Sequence, residues 1–273
     1  MSTFNSYLAV DWSANSSPKV GSDSVWIAWL SQTKDVKLFN PRTRIEALDI
    51  IKNLLADSDG RVLAGFDFPF GYPKAFFDSV GFSNWSELWK KLSERVEDSA
   101  SNRNNRFEVA NYFNSLFKND GPFWGHPMPN DGRYVNLPFK KPIGYGIALP
   151  NEKRSIENLI KSAKSVWQLN GAGSVGGQSL LGIPALEDLR KFVSTSIWPF
   201  ESCSSKVVLA EIYPSMYIIE NTEIIKDANQ VKTVVKKFKE LDSSGDLETI
   251  MNVTNKLGGP VCTHEGWILG AMA

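Results

Sequence analysis

Two aspartates that each end a short apolar segment are the residues of this chain best suited to chemistry. Asp11 follows the apolar run 7–10, and Asp67 follows the run 62–66. A carboxylate at the end of a buried strand is costly unless it is paired, hydrogen-bonded or bound to a cation. Ligands of open α/β sheets gather outside the carboxyl ends of the strands. The two acids therefore predict a metal or phosphate site, with turn stabilisation or helix capping as the alternative.

Two further acids extend this candidate site. Glu211 ends the apolar run 206–210 and precedes a proline turn, as Asp67 does. Asp11, Asp67 and Glu211 are hard oxygen ligands of the kind that Mg²⁺ or Mn²⁺ prefers. Two such ions about 3.5–4 Å apart could clamp the attacking and leaving oxygens of a phosphodiester. Glu265 is expected to assist from the first turn of a predicted helix over 263–271, where the helix dipole favours an anion.

A glycine-rich segment and several basic residues are candidates for holding a phosphate. Segment 171–178 could present backbone N–H groups to an anion. It lacks the Lys-Ser/Thr ending of a P-loop and follows no strand, so a simple connection between helices is the alternative. The basic residues nearby are equally consistent with a solvated surface. The predicted substrate-binding residues are Ser13, Arg42, Arg154, Lys164, Gly171, Gly173 and Gln178.

The order of predicted elements brings the first two acids together. Strands are predicted over 7–10, 24–30 and 36–39, and their short polar connections favour antiparallel pairing. A helix follows over 43–57, where Thr43 and Glu46 form a capping-box pattern. A fourth strand is predicted over 61–66. Since a strand–helix–strand crossover normally yields parallel strands, Asp11 and Asp67 are expected at one edge of the sheet.

Residues 74–205 interrupt this alternation and are predicted to form an inserted cap over the sheet edge. Its expected helices cover 84–96, 106–117, 155–169 and 184–193, and Pro184 is expected to open the last of them. A loop is expected over 120–151. After the strand that ends at Glu211, a basic amphipathic helix is predicted over roughly 230–241.

Three segments resemble a family of predicted ribonuclease H-like nucleases whose function is itself unknown. They are 9–14, 65–73 and 210–214, and some bacterial members carry names from cobalamin biosynthesis or molybdopterin guanine dinucleotide synthesis. The resemblance implies an α/β fold with a ribonuclease H-like mixed five-stranded sheet, flanked by helices and carrying a large helical and loop insertion between its fourth and fifth strands. The whole chain 1–273 would be one domain, with 74–205 as the cap subdomain. The family's last helix usually opens with Asp-Ala-rich sequence, whereas this chain has Glu265 beside His264.

The leading functional hypothesis is a Mg²⁺- or Mn²⁺-dependent nuclease or phosphoesterase that acts on nucleic acid or a nucleotide-like phosphoester. One alternative is an actin-like nucleotide-binding protein, although Trp12 replaces the glycine expected after the first aspartate. The other is a non-catalytic module that grips a planar, cofactor-like ligand with Trp124, Tyr134 and Trp167.

The amino-acid composition limits which binding partners and which cellular compartment are predicted. Lys plus Arg and Asp plus Glu both number 30, so no overall field attracts nucleic acid. No apolar run is long enough to span a bilayer, and the first residues do not resemble a signal peptide. Two cysteines favour a reducing compartment over a disulfide scaffold, and their spacing to the histidines matches no zinc pattern. The sequence predicts a cytoplasmic protein with no membrane association and no obligate protein partner.

Overall fold

A mixed six-stranded sheet forms the centre of the fold. The computed structural model describes residues 3–31, 35–118, 121–128, 132–171 and 173–271. The strand order is β3-β2-β1-β4-β6-β5. β2 runs antiparallel to β1 and β3, whereas β1, β4, β6 and β5 run parallel to one another. The strands are β1 (Ser6–Asp11), β2 (Trp26–Ser31), β3 (Lys37–Phe39), β4 (Val62–Phe66), β5 (Thr195–Trp198) and β6 (Val207–Glu211).

The sheet confirms the predicted pairing but not the predicted number of strands. The first three strands are antiparallel neighbours, and β4 lies parallel to β1 as the crossover rule requires. Five strands is wrong, because β5 adds a sixth at the edge beside β6. β5 lies inside the range 74–205 that was expected to form only the cap, so the insertion proper ends before Thr195.

Helix α1 (Arg44–Ala56) makes the crossover between β1 and β4. Thr43 is its N-cap, and the Thr43 hydroxyl accepts a hydrogen bond of 3.2 Å from the Glu46 backbone N–H. The Glu46 carboxylate accepts from the backbone N–H of Arg42 at 2.8 Å, one residue earlier than the capping box predicts. Ala47, Ile51 and Leu55 form its buried face, so the apolar spacing does position this helix.

The insertion is helical, but two of its helices differ from the prediction. The segment expected to be helical over 155–169 forms only the short α5, and α6 begins eight residues before Pro184, which lies inside it. A proline inside a helix removes one hydrogen bond. Burial of the apolar residues of α6, among them Leu180, Ile183 and Leu186, offsets that cost. The helices are α2 (Lys74–Val80), α3 (Trp85–Arg95), α4 (Arg106–Asn114), α5 (Ser155–Leu159) and α6 (Gly176–Phe192).

Two helices follow the sheet, and the chain ends without the helix expected over 263–271. α7 (Lys226–Ser244) begins four residues earlier than predicted, and α8 (Asp246–Met251) follows it. A single π-helical turn, Val261–Glu265, stands where the terminal helix was expected. Gly266, with φ of +75°, ends this turn, and Ile268 then forms a bridge with Glu211.

The two faces of the sheet carry separate apolar cores. The insertion and α1 cover the face that includes Leu8, Ala64 and Leu209. α7 covers the other face, which includes Ala9, Leu63 and Ala210. In the part of the chain that the structure describes, no helix has the length and apolar character needed to cross a membrane.

Candidate active site

Asp11 and Asp67 lie side by side at the carboxyl edge of the parallel strands. Val10 of β1 pairs with Phe66 of β4, and each aspartate is the next residue along its strand. The backbone N–H of Asp67 donates to the carbonyl of Val10 at 2.9 Å, which continues the ladder between the two strands. The expectation that the chain order would bring these two acids to one edge is confirmed.

Both carboxylates are partly buried and lack a partner. Within the described residues, neither side chain accepts a hydrogen bond or forms an ion pair. Burial raises the pKa of Asp11 well above its ordinary value, and repulsion from Asp67 and then Asp227 raises it further. Burial likewise raises the pKa of Asp67 to about 7, with repulsion from Glu211 and Asp227 as the next causes. Because the charged forms are destabilised here, a cation would relieve both carboxylates.

Asp227 is a third acid at this edge, and it is absent from the sequence prediction. It lies in the first turn of α7 and accepts a hydrogen bond of 2.7 Å from the backbone N–H of Asp23. The prediction began this helix near residue 230 and so excluded it. An acid just before an amphipathic run is a common helix-start signal, and it would have identified Asp227.

Glu211 reaches the same edge but is engaged in a buried ion pair. Its two carboxylate oxygens accept hydrogen bonds of 2.6 and 2.8 Å from Arg154, and one of them also accepts from the Phe70 backbone N–H at 3.1 Å. Glu211 pairs with Phe66, one residue before Asp67. The two acids line one small cavity, and repulsion from Glu211 contributes to the raised pKa of Asp67.

Arg154 is the centre of this ion-pair cluster, and it is almost completely buried. It also binds the Glu157 carboxylate at 2.8 Å and the backbone carbonyl of Glu265 at 2.7 Å. Burial alone would lower the pKa of Arg154, but Glu157 and Glu211 raise it above its ordinary value. Arg154 therefore stays charged and holds the ends of β6 and the terminal segment together.

Glu265 serves the same cluster through the backbone. It ends the π-helical turn, instead of opening a helix as predicted. Its carboxylate accepts a hydrogen bond of 2.7 Å from the backbone N–H of Ser155, the first residue of α5. Asp11 and Asp67 each line a cavity at this edge of the sheet, and Glu265 lines neither cavity.

Two adjoining cavities open along this edge. The larger, about 700 Å³, includes Asp11, Asp227 and Arg106 in its lining, and the smaller, about 100 Å³, includes Asp67 and Glu211. Val175 and Gln178 line both. Of the predicted substrate-binding residues, the larger cavity contains Ser13, Gly171, Gly173 and Gln178, and the smaller contains Arg154, Lys164 and Gln178. Arg42 is exposed and lines neither cavity.

The glycine-rich segment is part loop and part helix. Gly171 and Gly173 have φ of +91° and +75°, conformations that favour glycine, while Ala172 lies outside the described residues. A β-carbon at position 173 would lie 3.2 Å from Cε of Lys164, so the loop and this lysine are in contact. α6 begins at Gly176, so the last three residues of the segment, which were expected to be loop, form its first turn. Within that turn, Gln178 donates to the carbonyl of Trp12 at 2.5 Å.

Arg106 is the second residue of the cavity that sequence reasoning missed. It is the first residue of α4 and lines the larger cavity, with 9% of its surface exposed. Burial, followed by repulsion from Arg44, lowers the pKa of Arg106 to about 10. No local sequence pattern identifies it, because the residues around it come from distant parts of the chain.

The predicted set of three metal ligands does not come together. Among the described residues, no group of three or more His, Cys, Asp or Glu side chains is placed to hold a metal ion. Asp11 and Asp67 remain as two adjacent carboxylates without partners. This donor set fits Mg²⁺ or Mn²⁺, since Mg²⁺ usually keeps several waters and binds through one or two carboxylates plus substrate phosphates.

The three aromatic residues proposed to grip a planar ligand are dispersed. Trp167 is fully buried in the core between Tyr72 and Phe123. Trp124 lines a separate cavity of about 350 Å³ with Phe139. Tyr134 packs on Phe107 instead.

Comparison with protein-family models, with curated proteins and with solved structures gives no match to this chain. The resemblance to ribonuclease H-like nucleases therefore rests on the three sequence segments alone. The structure is an α/β fold whose mixed sheet places two carboxylates beside a polar cavity, and neither carboxylate has a partner in the described part of the chain.

Proposed function

We propose that this protein is a divalent-metal-dependent phosphoryl-transfer enzyme, a nuclease or phosphoesterase built on a ribonuclease H-like sheet. The observation that carries the proposal is the pair formed by Asp11 and Asp67. The two carboxylates follow neighbouring parallel strands, have no partner in the described residues, and have raised pKa values. Perturbed carboxyl pairs beside a cleft are typical of functional sites.

Asp11 and Asp67 would hold the ion. Bringing two ionised carboxylates together in a partly buried place costs free energy, which a bound Mg²⁺ or Mn²⁺ would recover. Binding would also displace the protons that burial retains on these groups. The ion would supply Lewis-acid polarisation of a phosphoryl oxygen and a more acidic bound water.

The surrounding residues would position the substrate and stiffen the edge. Lys164 and the loop of Gly171 and Gly173 lie beside the two cavities and can contact phosphate oxygens through an ammonium and through backbone N–H groups. Because both oxygens of Glu211 already accept from Arg154, we assign Glu211 the role of a fixed buried anion. Three antiparallel leading strands, a crossover helix and two acid-ending parallel strands support the ribonuclease H-like assignment.

The test is hydrolysis of a generic phosphodiester and of a single-stranded oligonucleotide with Mg²⁺ or Mn²⁺. Wild-type protein is compared with Asp11→Asn, Asp67→Asn and the control Asp188→Asn, whose carboxylate pairs with Lys52 on the surface. We expect metal-dependent turnover that falls at least a hundredfold in the first two variants and is unchanged in the control. Turnover that survives both substitutions in folded protein would reject the proposal.

A further inference from the structure

We propose that Arg106 and the first turn of α6 form a binding subsite for a phosphoryl group inside the larger cavity, which Asp11 also lines. That this anion belongs to the substrate rests on the proposed function, whereas the binding of the anion does not.

Arg106 is a buried charge whose guanidinium carbon lies 4.2 Å from the centroid of the Phe107 ring. Its Nη1 donates to two neutral acceptors, the Ser16 hydroxyl at 2.9 Å and the Asn104 side-chain carbonyl at 2.8 Å. Its Nε is buried and has no hydrogen-bond partner. Within the described residues, no carboxylate forms an ion pair with it. Burying an ionised group is costly unless an opposite charge accompanies it. A negative ligand beside this guanidinium would therefore lower the cost of its burial.

The first turn of α6 adds a second positive feature at the same place. This 17-residue helix has Val175 as its N-cap and no side-chain cap, while the backbone N–H of Gly176 donates to the Gln168 carbonyl at 3.0 Å. A β-carbon at Gly177 would lie 3.3 Å from Nε of Arg106 and 3.2 Å from its Cδ, so glycine permits the guanidinium to lie against the turn. The N-terminal end of a helix carries a partial positive charge. Two positive groups held in contact favour an anion that binds both.

Arg106, Val175 and Gln178 all line the larger cavity, so a ligand there can reach the guanidinium and the start of α6. A phosphoryl group, which only accepts hydrogen bonds once it is ionised, matches the donors of Arg106 and of the helix turn.

The cavity is therefore polarised. Asp11, Asp23 and Asp227 line one part of it, and Arg106 with the start of α6 lines another. A cation at the aspartates and a phosphoryl group at Arg106 would satisfy both parts at once. The inferred substrate class is a phosphoester whose charged phosphoryl group enters this cavity.

The test is isothermal titration calorimetry with inorganic phosphate and with pyrophosphate, both without divalent metal. Wild-type protein is compared with Arg106→Gln and with the control Arg103→Gln, an exposed arginine three residues away. Asp11→Asn is included because it removes a negative charge from the cavity. We expect millimolar or tighter binding by the wild type, at least tenfold weaker binding by Arg106→Gln, unchanged binding by Arg103→Gln, and equal or tighter binding by Asp11→Asn.

Two outcomes would overturn the subsite. One is no saturable binding of either anion by the wild type at millimolar concentrations. The other is undiminished binding by folded Arg106→Gln or, should that variant not fold, by Arg106→Met, which keeps the aliphatic stem but removes the charge. Anion binding that depends on Arg106 in a protein without metal-dependent hydrolysis would support the subsite and reject the catalytic proposal, so the two failures are distinguishable.

Discussion

Replacing Asp67 by asparagine should stabilise this protein at alkaline pH. Burial, with repulsion from Glu211 and Asp227, raises the pKa of Asp67 from 3.8 to about 7. Between these values the folded protein keeps a proton that the unfolded chain has released. The free energy of unfolding therefore falls by about 1.4 kcal/mol for each pH unit of rise across this window.

The size of this loss of stability follows from the pH range between the two pKa values. Stability from the retained proton is fully present below pH 3.8 and is lost as the pH rises through about 7. At pH 8 the ionised carboxylate costs at most about 4 kcal/mol, since a partly exposed group keeps some hydration. Asparagine avoids this cost. In a chain of this length, about 2 °C of melting temperature corresponds to 1 kcal/mol, so we expect a rise of several degrees, about 8 °C at most.

The assay is thermal and urea unfolding of wild type, Asp67→Asn and the control Asp188→Asn at pH 5 and pH 8, with chelator present. The gain from Asp67→Asn should be large at pH 8 and should shrink by about 3 kcal/mol at most at pH 5. Adding Mg²⁺ or Mn²⁺ at pH 8 should stabilise the wild type and not the variant, because only the wild type keeps both carboxylates. An Asp67→Asn variant that is no more stable than wild type at pH 8, or a gain that is independent of pH, would refute the electrostatic reasoning.

Three further predictions concern the framework that holds the site. Arg154→Met should lower the free energy of unfolding by about 3–5 kcal/mol, because it leaves Glu157 and Glu211 as buried charges without their partner. A loss below about 1 kcal/mol in urea unfolding would contradict this role of Arg154. Gly71→Ala should lower the free energy of unfolding by more than about 2 kcal/mol, because its β-carbon would lie 2.0 Å from the His264 carbonyl oxygen. The control Gly259→Ala has open space around it and should be nearly neutral, so equal melting temperatures of the two variants would contradict the packing described. Asp242→Ala should lower the free energy of unfolding by about 3 kcal/mol and accelerate hydrogen exchange at Thr3 and Phe4, whose backbone N–H groups donate to Asp242 at 2.8 and 2.9 Å. Unchanged exchange at these amides would show that the carboxylate does not anchor the N-terminal segment.

The sequence by itself determined α1, the antiparallel leading strands and the parallel direction of β1 and β4. Thr43 and the apolar spacing after it mark α1, and short polar connections mark the antiparallel strands. These signals are local, because capping and burial periodicity involve residues within a few positions of one another. The crossover through α1 predicts that β4 runs parallel to β1, and their pairing in the sheet brings Asp67 next to Asp11.

Only the tertiary structure decided which other residues complete the site. Glu211 was predicted from the same pattern as Asp67, but both of its carboxylate oxygens accept hydrogen bonds from Arg154 in a buried ion pair. Arg106 meets the start of α6 across about 70 residues of chain, and Asp227 reaches Asp11 from the other end of the protein. Long-range contacts of this kind depend on how helices and loops pack on a finished sheet, and no local spacing of residue types encodes that packing.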